Sequence, residues 1–250
     1  MVIFEDWGLK FVNIRVIRGK KRGLMKIKKI DNIRIYYRDE KYLKILDELE
    51  NLKIDRVFKD DNRSKVSLFT FGGEKLVLKV PREKNNRKWQ RFLSIFRGSE
   101  SYREFIQAEK IHNAGLLTYK PILAFEKRKY GCVVDSYFIC EYLQGETGSI
   151  EHLEDIKNEL DKIHESGYLH GDSQLVNFII DNKHVYLIDS KFSKNKYGKF
   201  GARYEYVYLE ESCHREIDYE KSDIYYRGAK GLNDLLHWWG IVRKKLKGKK

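Results

Sequence analysis

Tyr168-Leu-His-Gly-Asp-Ser-Gln-Leu-Val-Asn177 sets a histidine, a carboxylate and an amide at fixed offsets, His170-x-Asp172-x4-Asn177. A carboxylate so placed can take the proton of an attacking hydroxyl, and the amide oxygen further on can hold a magnesium ion that screens the phosphates of ATP. The spacing alone is weak evidence; its surroundings strengthen it. Phe178-Ile-Ile-Asp181, the turn Asn182-Lys183 and His184-Val-Tyr-Leu-Ile-Asp189 read as strand, tight turn and strand, delivering Asp189 beside the loop as a second magnesium ligand. The stretch therefore reads as a phosphotransferase loop with Asp172 as base and Asn177 and Asp189 as metal ligands. His170 reads as a prop for the loop rather than a proton relay.

Working upstream, residues 54–59, Lys65-Val-Ser-Leu-Phe-Thr-Phe71, the turn Gly72-Gly73 and Lys75-Leu-Val-Leu-Lys-Val80 predict three antiparallel strands closed by Pro81. A lone strand lysine is ordinarily just solvated. Lys79, however, precedes a predicted helix from Ser101 to a glycine cap at Gly115, the order in which a kinase-like lobe places its phosphate-gripping lysine and the glutamate that pairs with it. Glu104 is the expected partner, with Glu109 the second choice. Two more strands, around Pro121–Phe125 and Cys132–Cys140, complete a five-stranded lobe, and Glu141 and Leu143 are placed at the nucleotide hinge by their order alone. A helix over Ser149–Glu165 leads into the loop.

The flanks are less definite. Residues 1–30 are basic and read as a solvated strand pair or an anion-attracting arm, and Asp39 to Leu52 as one short amphipathic helix capped by Asp39. The stretch from Arg82 to Arg97 mixes Arg82, Lys84, Arg87, Lys88, Arg91 and Arg97 with Trp89, Phe92 and Phe96, so it either covers a sugar or phosphate or forms a solvated helix with a packed face. Beyond Asp189 the chain is rich in tyrosine and charge; Asp218 and Asp223 read first as surface carboxylates, though one of them could buttress the loop from below. A final helix after Gly228 carries Leu232, Leu235, Leu236, Trp238, Trp239, Ile241 and Val242. Most of these are expected to pack on the lobe, while the tryptophans beside the cationic tail Lys247, Lys249 and Lys250 also suit an anionic lipid surface. The fold class expected is α+β: a two-lobed, protein-kinase-like fold with an antiparallel-sheet N-lobe over residues 31–144 and a mostly helical C-lobe over 145–250.

With 250 residues, 42% of them hydrophobic, the chain can bury a proper core. A net charge of +13 favours anionic partners. Cys132, Cys140 and Cys213 are odd in number and not spaced as ligands, which speaks against a disulfide framework or a zinc site and for a reducing cytoplasm. The first residues do not resemble a signal peptide, and no apolar run reaches the roughly 20 residues of a membrane helix.

The stretch Leu78-Lys-Val-Pro-Arg-Glu-Lys-Asn-Asn-Arg-Lys-Trp-Gln-Arg-Phe92, with Lys120-Pro-Ile-Leu-Ala-Phe-Glu-Lys-Arg128 and Val133-Val-Asp-Ser136, resembles the lipopolysaccharide core heptose(II) kinase family. The resemblance runs over about residues 30–225. It implies ATP and Mg2+ as cofactors, lipopolysaccharide core oligosaccharide as the acceptor, and work at the cytoplasmic face of the inner membrane. By position it implies Asp172 as base, Asn177 and Asp189 as metal ligands, and Lys79 with Glu104 as the phosphate clamp.

Two features depart from the wider kinase pattern. The first strands are joined by Lys59-Asp-Asp-Asn-Arg-Ser-Lys65 instead of a Gly-x-Gly-x-x-Gly loop, and Asp189-Ser-Lys191 stands for Asp-Phe-Gly. The Ala-Pro-Glu landmark of protein kinases is absent, which counts against a protein substrate. Rival readings are a kinase for another small hydroxylated acceptor, for which a cationic aminoglycoside suits the +13 balance poorly, and a nucleotide-binding pseudokinase module. Nucleic-acid binding lacks any motif in its favour.

Overall fold

The computed structural model describes residues 14–16, 25–82 and 87–246. Most of the expected N-terminal extension, together with Lys84 and the tail lysines Lys247, Lys249 and Lys250, lies outside the described residues. The chain divides into two compact units, one comprising Met1–Asn113 with Tyr119–Leu143, the other Ala114–Thr118 with Gln144–Lys250. The polypeptide enters the second unit briefly at Ala114–Thr118 and passes to it finally after Leu143, one of the two positions assigned to the hinge.

Unit 1 is built on an antiparallel sheet. Its strands are β1 (Ile14–Val16), β2 (Lys26–Ile30), β3 (Ile33–Tyr37), β4 (Ile54–Asp60), β5 (Lys65–Phe71), β6 (Glu74–Val80), β7 (Pro121–Lys129) and β8 (Cys132–Glu141). They lie in the order β1-β2-β3-β7-β8-β6-β5-β4, so among the described residues the expected five strands are eight. The increase arises because β2 and β3 form a hairpin whose second strand pairs with β7, with Ile35 opposite Phe125. Gly72 and Gly73 take φ of 57° and 81°, the paired left-handed conformation of a two-residue hairpin turn, which sets Lys79 opposite Val66 on one side; β8 sets it opposite Phe138 on the other.

One face of the sheet buries Tyr37, Phe69, Leu76, Ile122, Leu123 and Ile139 with Tyr42 and Ile45. The last two come from the stretch expected to be one helix. It is instead a short α-helix, α1 (Lys44–Glu48), between 3-10 turns at Glu40–Leu43 and Leu49–Asn51, with Asp39 accepting a bond from the Lys41 amide. The tighter 3-10 spacing brings residues three apart onto one line, and Tyr42 and Ile45 both enter the core.

The helix α2 (Lys88–Arg97) occupies the basic stretch, and α3 (Glu100–Asn113) follows it as the expected glutamate-bearing helix, with Gly115 beyond its end at φ 81°. Ser99 caps α3 by accepting the Tyr102 amide, and its own amide donates to the fully buried carboxylate of Glu126 on β7. Glu126 also accepts bonds from Tyr36 and Arg128, so its charge is buried with partners.

Unit 2 contains the strands β9 (Glu146–Thr147), β10 (Tyr168–Leu169), β11 (Phe178–Asp181), β12 (His184–Leu187) and β13 (Ser193–Lys194) and three helices, α4 (Leu153–Glu165), α5 (Lys199–Cys213) and α6 (Ile224–Leu246). No periodicity announced α5. The last helix begins at Ile224, earlier than expected, where Asp223 caps it by accepting the Tyr226 amide; Gly228 lies inside it, at a close approach to Phe200 of α5. The apolar residues of α6 do not pack on the unit as expected. Leu235, Leu236, Trp238, Trp239 and Ile241 are exposed, and among the described side chains of this helix only Ala229 and Asn233 are buried, because the side turned toward α5 is the one bearing small and polar groups. Among the described residues, no helix is long and apolar enough to cross a membrane.

Candidate active site

The loop is held from both ends. On its entry side, α4 buries Ile156, Leu160 and Ile163 completely and stops at Ser166, with Gly167 at φ 80° turning the chain into β10. On its exit side, β11 and β12 pair as Phe178 with Leu187 through Asp181 with His184 around the Asn182-Lys183 turn, whose φ values are 47° and 67°. The Ile188 amide donates to the Asn177 carbonyl at 2.9 Å, which ties the strand carrying Asp189 to the end of the loop.

His170 is fully buried and packs against Phe178, ring centroids 4.8 Å apart. Its carbonyl accepts bonds from the Lys191 amide and the Ser190 hydroxyl, fastening the loop to the segment after Asp189. Its Nδ1 accepts the Asp172 amide at 3.3 Å. Burial pushes the imidazole down to about 4, so it is neutral at physiological pH and serves as an acceptor inside the loop. Gly171, at φ 86°, is required beside it: a Cβ there would come within 2.8 Å of the Lys191 Cβ.

Asp172 is half-buried, and its Oδ1 has no hydrogen-bond partner. Burial raises its proton affinity above the ordinary carboxylate value, Asp189 adds to the rise, and Lys191 opposes it. The Asn177 amide nitrogen donates to the Asp172 carbonyl at 2.8 Å. That bond occupies the NH2 end and leaves the carbonyl oxygen as the end suited to a cation. Asp189 is exposed, in the left-handed conformation at φ 50°, uncommon for a non-glycine residue. A divalent ion fits these groups in two respects: the Asp189 charge lies close enough to Asp172 to raise its proton affinity, and an amide oxygen plus one carboxylate is the sparse protein share typical of magnesium sites completed by phosphates. Among the described residues, no three His, Cys, Asp or Glu side chains gather as a self-sufficient metal site.

In unit 1 the Lys79 ammonium donates to Glu104 at 2.6 Å, the pair expected from strand and helix order. Glu109 instead receives Arg38. The Tyr119 hydroxyl also donates to Glu104, at 2.8 Å, and the Lys79 ammonium lies 5.1 Å from the Tyr119 ring centre, so this tyrosine holds both members of the pair. Glu141 ends β8 exposed, its carboxylate accepting the Lys120 amide; Leu143 is half-buried at the unit's last position. Where a glycine-rich loop would stand, the Asp61 carboxylate accepts the amides of Arg63 and Ser64, which holds it below the usual carboxylate range. The turn is thus shaped by an aspartate in place of glycines.

The buttress beneath the loop is Glu205, which the sequence did not reveal. Buried on α5, it accepts the amides of His170 and Gly171, and His164 of α4 lies 2.9 Å away. The two aspartates considered for that place lie elsewhere: Asp218 is exposed, and Asp223 caps α6 and pairs with Arg203. Glu205 lies in a tyrosine-rich run with no apolar period, so nothing local distinguished it from a surface carboxylate.

Element order, the strand-lysine to helix-glutamate pair, and the loop with its hairpin define the protein-kinase-like class. The chain matches the model of the lipopolysaccharide core biosynthesis protein (WaaY) family over residues 24–228, and it belongs to that family. It is similar to the lipopolysaccharide core heptose(II) kinase WaaY of Escherichia coli K12, 33% identical over 162 residues that cover 60% of this chain and 69% of that one. A second Escherichia coli protein of the same name is 29% identical over 166 residues, 62% of this chain and 72% of its own. Among solved structures it is similar to WaaP in complex with acyl carrier protein, with TM-score 0.48, 13% identity, and coverage of 80% of this chain and 91% of that chain. The PknI kinase domain of Mycobacterium tuberculosis gives TM-score 0.42 and 15% identity, covering 65% and 74%.

Proposed function

We propose that this protein transfers the γ-phosphate of ATP to a hydroxyl of heptose II in the inner core of lipopolysaccharide, at the cytoplasmic face of the inner membrane. The observation that carries this reading is the family match over residues 24–228, which spans Lys79, Glu104, Asp172, Asn177 and Asp189. Asp172 takes the proton of the attacking hydroxyl at its carboxylate. Its raised proton affinity suits a group that must receive a proton during the step. Magnesium held by Asn177 and Asp189 would screen the phosphate charge. Lys79, oriented by Glu104 and Tyr119, contacts the phosphates, and Glu141 and Leu143 border the adenine through backbone groups. Neutral His170 keeps the loop in place.

The test is mass spectrometry of core oligosaccharide from a strain lacking the protein, with one phosphate missing as the expected result and an unchanged core sinking the acceptor assignment. In vitro, Asp172→Ala should lower kcat about 10²- to 10⁴-fold while the nucleotide-induced thermal shift persists. Retained turnover would remove Asp172 from the base role.

A further inference from the structure

The helix α2 is inside out. An amphipathic helix on a globular protein normally turns its apolar stripe to the core and its polar side to water. Here Ser94 is the buried residue, 5% exposed, and its hydroxyl accepts the Val133 amide of β8 at 2.8 Å. Trp89, Phe92, Ile95 and Phe96 point the other way, with Trp89 66% and Phe96 78% exposed. At helical spacing these four form one stripe, and Trp89 stacks on Phe92, which meets Phe96 edge-on, so the rings form a continuous surface. The sequence provides Arg87 at its N-cap, Lys88, Arg91 and Arg97 on the helix, and no carboxylate between residues 87 and 97.

Three features select the occupant. An apolar protein partner would be met by aliphatic groups as readily as by rings, whereas Trp and Phe are the residues enriched where a helix lies in a lipid headgroup layer. Cations flanking the stripe suit anionic headgroups, toward which their long side chains can extend while the rings enter the acyl boundary. The helix is also tied to the sheet on its inner side by the Ser94–Val133 bond, so its stripe is presented without unfolding. We infer that α2 lies on an anionic phospholipid surface, with Trp89, Phe92 and Phe96 inserted and the surrounding arginines and lysine on phosphate headgroups. The inference names the membrane contact of the proposed lipopolysaccharide kinase but is tested without acceptor or nucleotide, so it stands or falls separately from that reading.

Sedimentation with vesicles of phosphatidylglycerol and phosphatidylcholine in equal parts should carry down the full-length protein, and phosphatidylcholine alone should bind it far more weakly. The triple variant Trp89→Ser, Phe92→Ser, Phe96→Ser should lose about tenfold or more of that binding with its melting temperature kept, because all three rings are exposed. Arg87→Gln with Lys88→Gln should weaken binding and flatten its salt dependence. In a variant retaining Trp89 as sole tryptophan, brominated acyl chains should quench its emission. Four results would overturn the inference: undiminished binding by the triple variant; no quenching of Trp89; loss of binding on replacing Trp238 and Trp239 instead, which would place the contact on α6; or shielding of Trp89 from acrylamide without vesicles, which would show the stripe already covered by another segment or a second copy. Equal loss of turnover by the triple variant on soluble core oligosaccharide, with vesicle binding intact, would assign the rings to the sugar.

Discussion

Asp172 faces two opposing demands. To serve as the proposed base it must be ionised, yet its half-buried place and the neighbouring Asp189 disfavour the ionised form. By linkage, a carboxyl whose proton affinity rises on folding favours the fold only while protonated, and that contribution is lost as pH rises through its folded value. At neutral pH the charge therefore destabilises, and Asp172→Asn should raise the melting temperature while abolishing turnover. A lower melting temperature would contradict the assigned environment. The same shift places the acidic limb of kcat/KM above the ordinary carboxylate range, measurable as a pH profile on a neutral acceptor. His170 has the opposite sign: with its value depressed from 6.5 to about 4, its contribution to stability is lost as pH falls through that interval. The difference in unfolding free energy between the native protein and His170→Gln should shrink over that window.

At the scale of elements, α5 orders the loop through a single carboxylate. Glu205 accepts two backbone amides, and hydrogen bonds to charged groups contribute about 1.5–3 kcal/mol each. Glu205→Ala should cost about 3 kcal/mol of stability in a urea titration, speed hydrogen exchange at the His170 and Gly171 amides, and lower kcat more than it raises the KM for nucleotide. Asp223→Ala, which removes a cap and a part-buried pair with Arg203, should cost clearly less than Glu205→Ala. Equal costs would refute the buttress role. The hairpin after the loop and the three-stranded run that carries Lys79 and ends at Val80 were legible because a two-residue turn and the period of two fix register from nearest neighbours. The buttress was not, because Glu205 meets the loop from 34 residues away in sequence to Gly171, and nothing in its own helix records that meeting.

At the scale of the whole molecule, ligand binding is read as stability. If ATP with magnesium binds as proposed, saturation at about 100 times Kd should stabilise the protein by about 2.7 kcal/mol, visible as a thermal shift. Lys79→Met should remove most of that shift, and Tyr119→Phe part of it, since the tyrosine hydroxyl holds Glu104. A full shift in Lys79→Met would end the phosphate-clamp assignment.

The sequence by itself determined the α+β class and the order of strands and helices around the loop, which follow from short offsets and side-chain alternation, and that order pointed to Glu104 ahead of Glu109 as the partner of Lys79. Only the tertiary structure decided the rest. It added three strands to the sheet through the pairing of β3 with β7, set Glu205 under the loop, and left the aromatic stripe of α2 and the apolar residues of α6 uncovered. The reason is the same in each case: periodicity shows that a helix or strand has an apolar face, but what covers that face depends on contacts between residues far apart in the chain.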